Sequence, residues 1–236
     1  MDKITAIAKK EIRSFFYSPV AYIIITVFLI ILGGFSFWTY FQEGVLSISK
    51  IFSTISIIYI FMIPIISMRA FSEEKKSGTI ELLLTKPITD MQLTLGKFFS
   101  LVLLNIIALI PTVIYFIVLS SFGKLDYGAI FTSYLGIILL ACLYVSISLF
   151  FSSITQHQIV AGIMSFPVIA FLFLLYYFLP LIPAKASGIL SYIAPNFHLE
   201  TFSKGVIDSG SLIYFISGIL IFILLTRTSL ESRKWQ

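Results

Sequence analysis

The sequence predicts an all-α integral membrane protein with six transmembrane helices and both chain ends in the cytoplasm. Three observations predict it. Hydrophobic residues make up 58% of the 236 residues and charged ones only 11%, with a mean hydropathy of +1.03; soluble domains run at roughly 45–50% apolar and about 25% charged. Six apolar runs are long enough, at about 1.5 Å of rise per residue, to cross roughly 30 Å of hydrocarbon. With the amino terminus inside, twelve of the sixteen lysines and arginines fall on the inner side, the bias that orients membrane helices. Lipid satisfies no backbone polar group, so each run must be a helix, and the alternating pattern of membrane-barrel strands is absent.

Taken in order, residues 1–18 form a basic amphipathic segment. Ile4, Ala8, Ile12, Phe15 and Phe16 recur at helical spacing while Lys9, Lys10 and Arg13 fall elsewhere. A helix lying in the inner interface is expected, its cations near anionic lipid head groups. Ser18-Pro19 then breaks one helix and starts the next. The first span, 20–41, is too long for a signal-peptide core and lacks a small-x-small cleavage pattern, so it reads as an uncleaved helix. Trp38 and Tyr40 mark its outer end; Tyr17, Tyr22 and Trp235 mark the inner face. The second span is 51–68. A charged segment, 69–96, leads to the third span at 97–121, whose helix is expected to begin near Asp90 because Thr89-Asp90-Met91-Gln92 spells a capping box. Spans 130–152 and 159–180 follow. The outer segment 181–210, punctuated by Pro183, Gly188 and Pro195, is expected to hold short half-helices dipping back into the outer leaflet. The last span is 211–226, and the whole chain, 1–236, reads as one transmembrane domain.

Much ordinary chemistry is missing. The net charge of +5 is scattered in short segments between apolar runs, so no nucleic-acid patch forms. The single cysteine, Cys142, excludes an intramolecular disulfide. Gly96-Lys97 and Gly123-Lys124 lack the earlier glycine and the following hydroxyl of a phosphate loop, so this chain is not expected to hydrolyse ATP, to act as an enzyme or to hold a cofactor. His157 and His198 are isolated and read as loop histidines, and neither a catalytic group nor a metal site is expected. The spans carry no acid or base away from their ends, which disfavours an ion-coupled carrier. Driving force must then enter from outside the bilayer, and the segment RAFSEEKKSGTIELLLTKPITDMQLTLG is the expected port. Within it Gly78 and Pro87 bracket a two-turn helix over Thr79–Thr85. Pro64, Pro111 and Pro167 fall inside spans two, three and five and are expected to kink them.

The port resembles the loop after the second span of ABC-2 type permeases, which follows a pattern like E-E-K-x-x-G-T-x-E-x-L-x-x-x-P. Here it stands as Glu73-Glu74-Lys75-Lys76-Ser77-Gly78-Thr79-Ile80-Glu81-Leu82, ending at Pro87. A second likeness is Pro195-Asn196-Phe197-His198-Leu199-Glu200 with Phe202 and Gly205-Val206-Ile207-Asp208. The resemblance extends over essentially the whole chain, including EIRSFFYSPVAYI and MRAF, and looks closest to the gliding-motility type. It implies a type V exporter-like fold and the permease subunit of an ATP-binding-cassette exporter in a bacterial inner membrane. It further implies a second permease copy or a related permease, and separate cytoplasmic ATPase subunits that carry the ATP and Mg. Membrane lipids and an extracytoplasmic accessory protein complete the implied partners; nucleic acid is not among them. Carried onto this chain, Glu73, Glu74, Gly78, Thr79 and Glu81 would couple to the ATPase, and His198, Glu200 and Asp208 would shape an outer gate. Two other readings stand beside it: a mechanical or scaffold subunit driving an envelope process such as gliding, and a stand-alone secondary carrier.

Overall fold

The computed structural model describes residues 2–43, 48–79, 88–120, 126–181 and 183–232. Glu81, Pro87, Lys124, Trp235 and the two-turn helix expected beyond Thr79 lie outside them. The described residues are helical almost throughout. Helices α1 (Asp2–Tyr17), α2 (Pro19–Glu43), α3 (Ile48–Ser67), α4 (Arg69–Lys76) and α5 (Asp90–Leu109) come first. A 3-10 turn (Ile110–Thr112) leads into α6 (Val113–Ser120), then α7 (Tyr127–Ile154), α8 (Gln158–Phe178), α9 (Ala184–Ile193), α10 (Pro195–Ser203) and α11 (Ser209–Glu231).

Among the described residues six helices are long and apolar enough to cross a membrane: Pro19–Gln42, Ile48–Lys76, Asp90–Ile117, Tyr127–Ile154, Gln158–Leu181 and Ser209–Glu231. Most reach beyond the apolar runs that announce them, because hydropathy marks the hydrocarbon and not the helix end. The second span shows this most. The Met68 amide donates to the Pro64 carbonyl at 2.9 Å, so α4 follows α3 without a loop and adds eight residues, six of them polar, to that span. The third begins where the capping box places it: Thr89 Oγ1 accepts from the Gln92 amide and Gln92 Oε1 accepts from the Thr89 amide, both at 3.2 Å.

The three prolines behave differently. Pro111 sits where the third span tightens into its 3-10 turn, as expected where a helix loses an amide donor. Pro64 and Pro167 lie inside α3 and α8, which run through them as α-helix.

The second and fourth spans form the centre, each with 67% of its best apolar window buried; the first and last, at 22%, are peripheral. Close approach is bought with small residues, as in other membrane bundles. A Cβ at Gly136 of α7 would stand 3.0 Å from Phe202 Cβ of α10, and one at Gly218 of α11 would stand 2.8 Å from Leu143 Cδ1 of α7. An even number of spans brings both chain ends to one end of the bundle, where Ser229 near the end of α11 donates to the Ser153 carbonyl near the end of α7.

Candidate functional site

At that end α1 lies across α5. Ile4, Ile7, Ala8, Glu11 and Ile12 are half-buried and Phe15 is buried, one helical stripe, while Lys9, Lys10 and Arg13 are exposed. The crossing point is Gly96, where an added Cβ would fall 2.6 Å from Ile7 Cγ2 and 2.7 Å from Ile7 Cβ. Only glycine admits α1 this closely.

The close approach brings Glu11 to Lys97. Lys97 is 2% exposed, and its Nζ lies 3.2 Å from Glu11 Oε1 and 2.9 Å from Glu74 Oε1. The ammonium also stands over the Phe71 ring, 5.2 Å from its centroid. A buried lone cation costs several kcal/mol or gives up its proton. Two carboxylates and an aromatic face offset that cost, at the expense of tying α1, α4 and α5 to a single atom. The other oxygen of Glu74, Oε2, is buried with no hydrogen-bond partner. Beside the triad opens a cavity of about 330 Å³ whose lining includes Lys10, Ser14, Arg69, Glu73 and Ser100.

α4 is also fastened to the centre of the bundle. Ser152 Oγ of α7 donates to the Met68 carbonyl at 2.9 Å and accepts from the Phe71 and Ser72 amides at 3.0 and 3.2 Å. The helix stops at Gly78, whose φ of +69° is the left-handed conformation that favours glycine. There Ser77 Oγ and Thr79 Oγ1 share a hydrogen bond of 2.9 Å. Of the expected coupling residues, Glu74 alone joins the buried triad. Glu73 is exposed at the cavity rim, and Gly78 and Thr79 are exposed at the end of α4. Glu81 lies outside the described residues. Glu11 and Lys97 are functional candidates that sequence reasoning missed. The signal was there: Glu11 interrupts the apolar stripe of α1, and Lys97 sits two turns inside a capped helix rather than at its end.

The opposite end gathers His198, Glu200 and Asp208. His198 is not a loop histidine; it lies on α10, 3% exposed, stacked on Tyr214 with centroids 4.3 Å apart. Its Nε2 lies 3.0 Å from the Tyr192 carbonyl, an acceptor only, so Nε2 carries the proton; Nδ1 meets Ser211 Oγ at 2.9 Å. Asp208 caps α11, its Oδ2 accepting from the Ser211 amide at 3.0 Å and facing Ser211 Oγ at 3.2 Å. His198 and Asp208 therefore converge on Ser211. Glu200 faces the other way, accepting from Lys204 Nζ at 2.7 Å and from the Tyr176 hydroxyl of α8 at 2.8 Å. The Ser211 amide, above all, holds the Asp208 carboxyl below the usual carboxylate range. Lys204 first, then the Tyr176 hydroxyl, does the same for Glu200. Gly205, with φ of +83°, turns the chain from α10 toward the cap of α11. These contacts knit α10 to α8, α9 and α11.

Two features thus occupy the two ends: a charge triad joining three helices, and a hydrogen-bonded knot of short helices. The family described as ABC-2 family transporter protein matches residues 5–230, a stretch that takes in both. Among curated proteins, none matches the chain.

Proposed function

The chain belongs to the ABC-2 family of transporter proteins, a multi-pass permease subunit of an ATP-binding-cassette transporter that works with cytoplasmic ATPases; from that premise we propose that it serves an exporter and takes up its driving force where α1, α4 and α5 meet. The observation that carries the proposal is Lys97, buried between Glu11 and Glu74. α4 runs directly into the second span, so a displacement of α4 reaches the centre of the bundle without crossing a loop. It cannot move alone, because Glu74 is tied through Lys97 to α1 and α5. An ATPase subunit pressing on the exposed Glu73 and the Gly78–Thr79 corner therefore shifts three helices as one lever. Glu81, a few residues further along the sequence, is assigned to the same contact with the ATPase.

The lysine- and arginine-rich end faces the cytoplasm of a bacterial inner membrane, both chain ends with it. ATP and Mg belong to the ATPase, and this chain contributes no hydrolytic group. A second copy, or a related permease, completes the path. The knot of His198, Glu200 and Asp208 forms its outer gate, where an extracytoplasmic accessory protein has a surface to engage. The test is Glu73→Lys. Glu73 is exposed, so the change should alter folding stability by no more than about 0.5 kcal/mol. It should nonetheless abolish copurification of the ATPase and its stimulation by the permease. Unchanged ATPase binding and stimulation would contradict the reading.

A further inference from the structure

The charges of α1 divide between two surroundings. Glu11 turns into the protein, toward Lys97. Lys9, Lys10 and Arg13, with Ser14, Tyr17 and Ser18, line an open groove of about 740 Å³ with no carboxylate among its described lining residues; Lys10, Ser14 and Ser18 also border the cavity beside the triad, whereas Lys9, Arg13 and Tyr17 line the groove alone. Tyr17 there is 88% exposed. α1 ends at Tyr17 and the first span starts at Pro19. Just inside that span Tyr22 and Ile23 are 57% and 58% exposed, the apolar surface a membrane helix turns to lipid. Arg13 thus lies about one turn before the end of α1 at Tyr17, beside the start of a membrane helix. Three cations, the Ser14 hydroxyl and a tyrosine at that level match the phosphate of a lipid head group in charge and in hydrogen-bond donors.

We propose that anionic phospholipid head groups of the cytoplasmic leaflet bind this face of α1 and, through Glu11 on its other face, set the position of Lys97, Glu74 and α4. Lipid composition then regulates the coupling device itself. The proposal rests on the function proposed above only for that consequence, since lipid binding and its transmission to α4 need no ATPase. The groove reaches Tyr17 and Ser18, the residues that lead into the first span, whose Tyr22 and Ile23 are exposed, and that position favours lipid over the ATPase as its occupant.

The test uses the full chain in nanodiscs of phosphatidylcholine with an increasing fraction of phosphatidylglycerol, read by amide hydrogen exchange. In the native protein phosphatidylglycerol should slow exchange in both Asp2–Tyr17 and Arg69–Lys76. Replacing Lys9, Lys10 and Arg13 by Gln should raise the lipid fraction needed for half the effect about fivefold per cation removed, equivalent to ~1 kcal/mol each. Glu11→Gln should keep the response of α1 and lose that of α4. A native response equal in both lipids, or one retained by the triple variant, overturns the site. A response confined to α1 in the native protein overturns the transmission. If inorganic phosphate in detergent reproduces the whole effect, a leaflet is not required and the lipid assignment fails. If the triple variant keeps its exchange response but loses ATPase binding, the groove belongs to the partner and the proposal fails.

Discussion

Lys97 is the residue on which most depends, because removing it leaves two carboxylates facing each other. Breaking a buried ion pair by taking one partner costs about 3–5 kcal/mol, whereas replacing the whole set with apolar groups is often neutral. Glu11 and Glu74 keep 19% and 16% exposure, which moderates the loss. Lys97→Met should therefore cost about 2–4 kcal/mol in denaturant unfolding, and adding Glu11→Gln and Glu74→Gln should recover most of it. Independent, additive losses would mean the three do not act together. At the other end the sign of a pH effect is fixed. Asp208 and Glu200 have lowered pKa values in the fold, so the unfolded chain binds protons more readily. Their contribution is complete at neutral pH, begins to fall near the ordinary carboxylate pKa of about 4, and is lost as pH drops through the lowered values. Protection from hydrogen exchange across α10 and the start of α11, taken relative to the intrinsic rate at each pH, should fall in that acid range, and Asp208→Asn should show the lower protection already at neutral pH. Single residues were the hardest to read from sequence. Glu73 and Glu74 stand in a conspicuous run of charge, but their different fates, one exposed and one in the triad, depend on which side of α4 meets α5. His198 looked isolated because its partners, Ser211 and the Tyr192 carbonyl, come from neighbouring helices.

Elements were far more legible, since each has a local cause. The capping box started α5 at Asp90, and the Ser18-Pro19 break separated α1 from α2, as their side chains dictate. Thr89→Ala should cost about 1 kcal/mol, measurable as earlier unfolding of the α5 start by hydrogen exchange. What sequence could not give was the length of α4 as part of the second span, because polar residues 69–76 carry no hydropathy signal and are held by Ser152, far away in sequence. Nor could it give the reason for Gly96, which a sequence presents as one more glycine in a membrane helix. Gly96→Val should unseat α1 from α5 while leaving the six spans intact. A cysteine pair at Ile7 and Leu95 should then lose its crosslinking yield, and an undiminished yield would show that the crossing tolerates a side chain.

At the scale of the whole molecule, the division of labour follows from where water is. The bundle interior holds its helices together by close contact of small and aromatic residues, with α3 and α7 at the centre and α2 and α11 outside. Among the described residues charged chemistry gathers at the ends, one a buried triad and the other a knot. The fold class and the six spans were readable because hydrocarbon thickness imposes them on composition. The triad was not, because it joins residues 11, 74 and 97 across three helices. In the proposed mechanism the end holding Lys97 meets an ATPase. Its most direct test is to place a cysteine by Glu73→Cys in a Cys142→Ser background and crosslink it in intact membranes. A nucleotide-dependent crosslink to a copurifying ATPase subunit is expected, with protection from membrane-impermeant thiol reagents added outside. Labelling from the outside, with no crosslink to an ATPase in any nucleotide state, would contradict it.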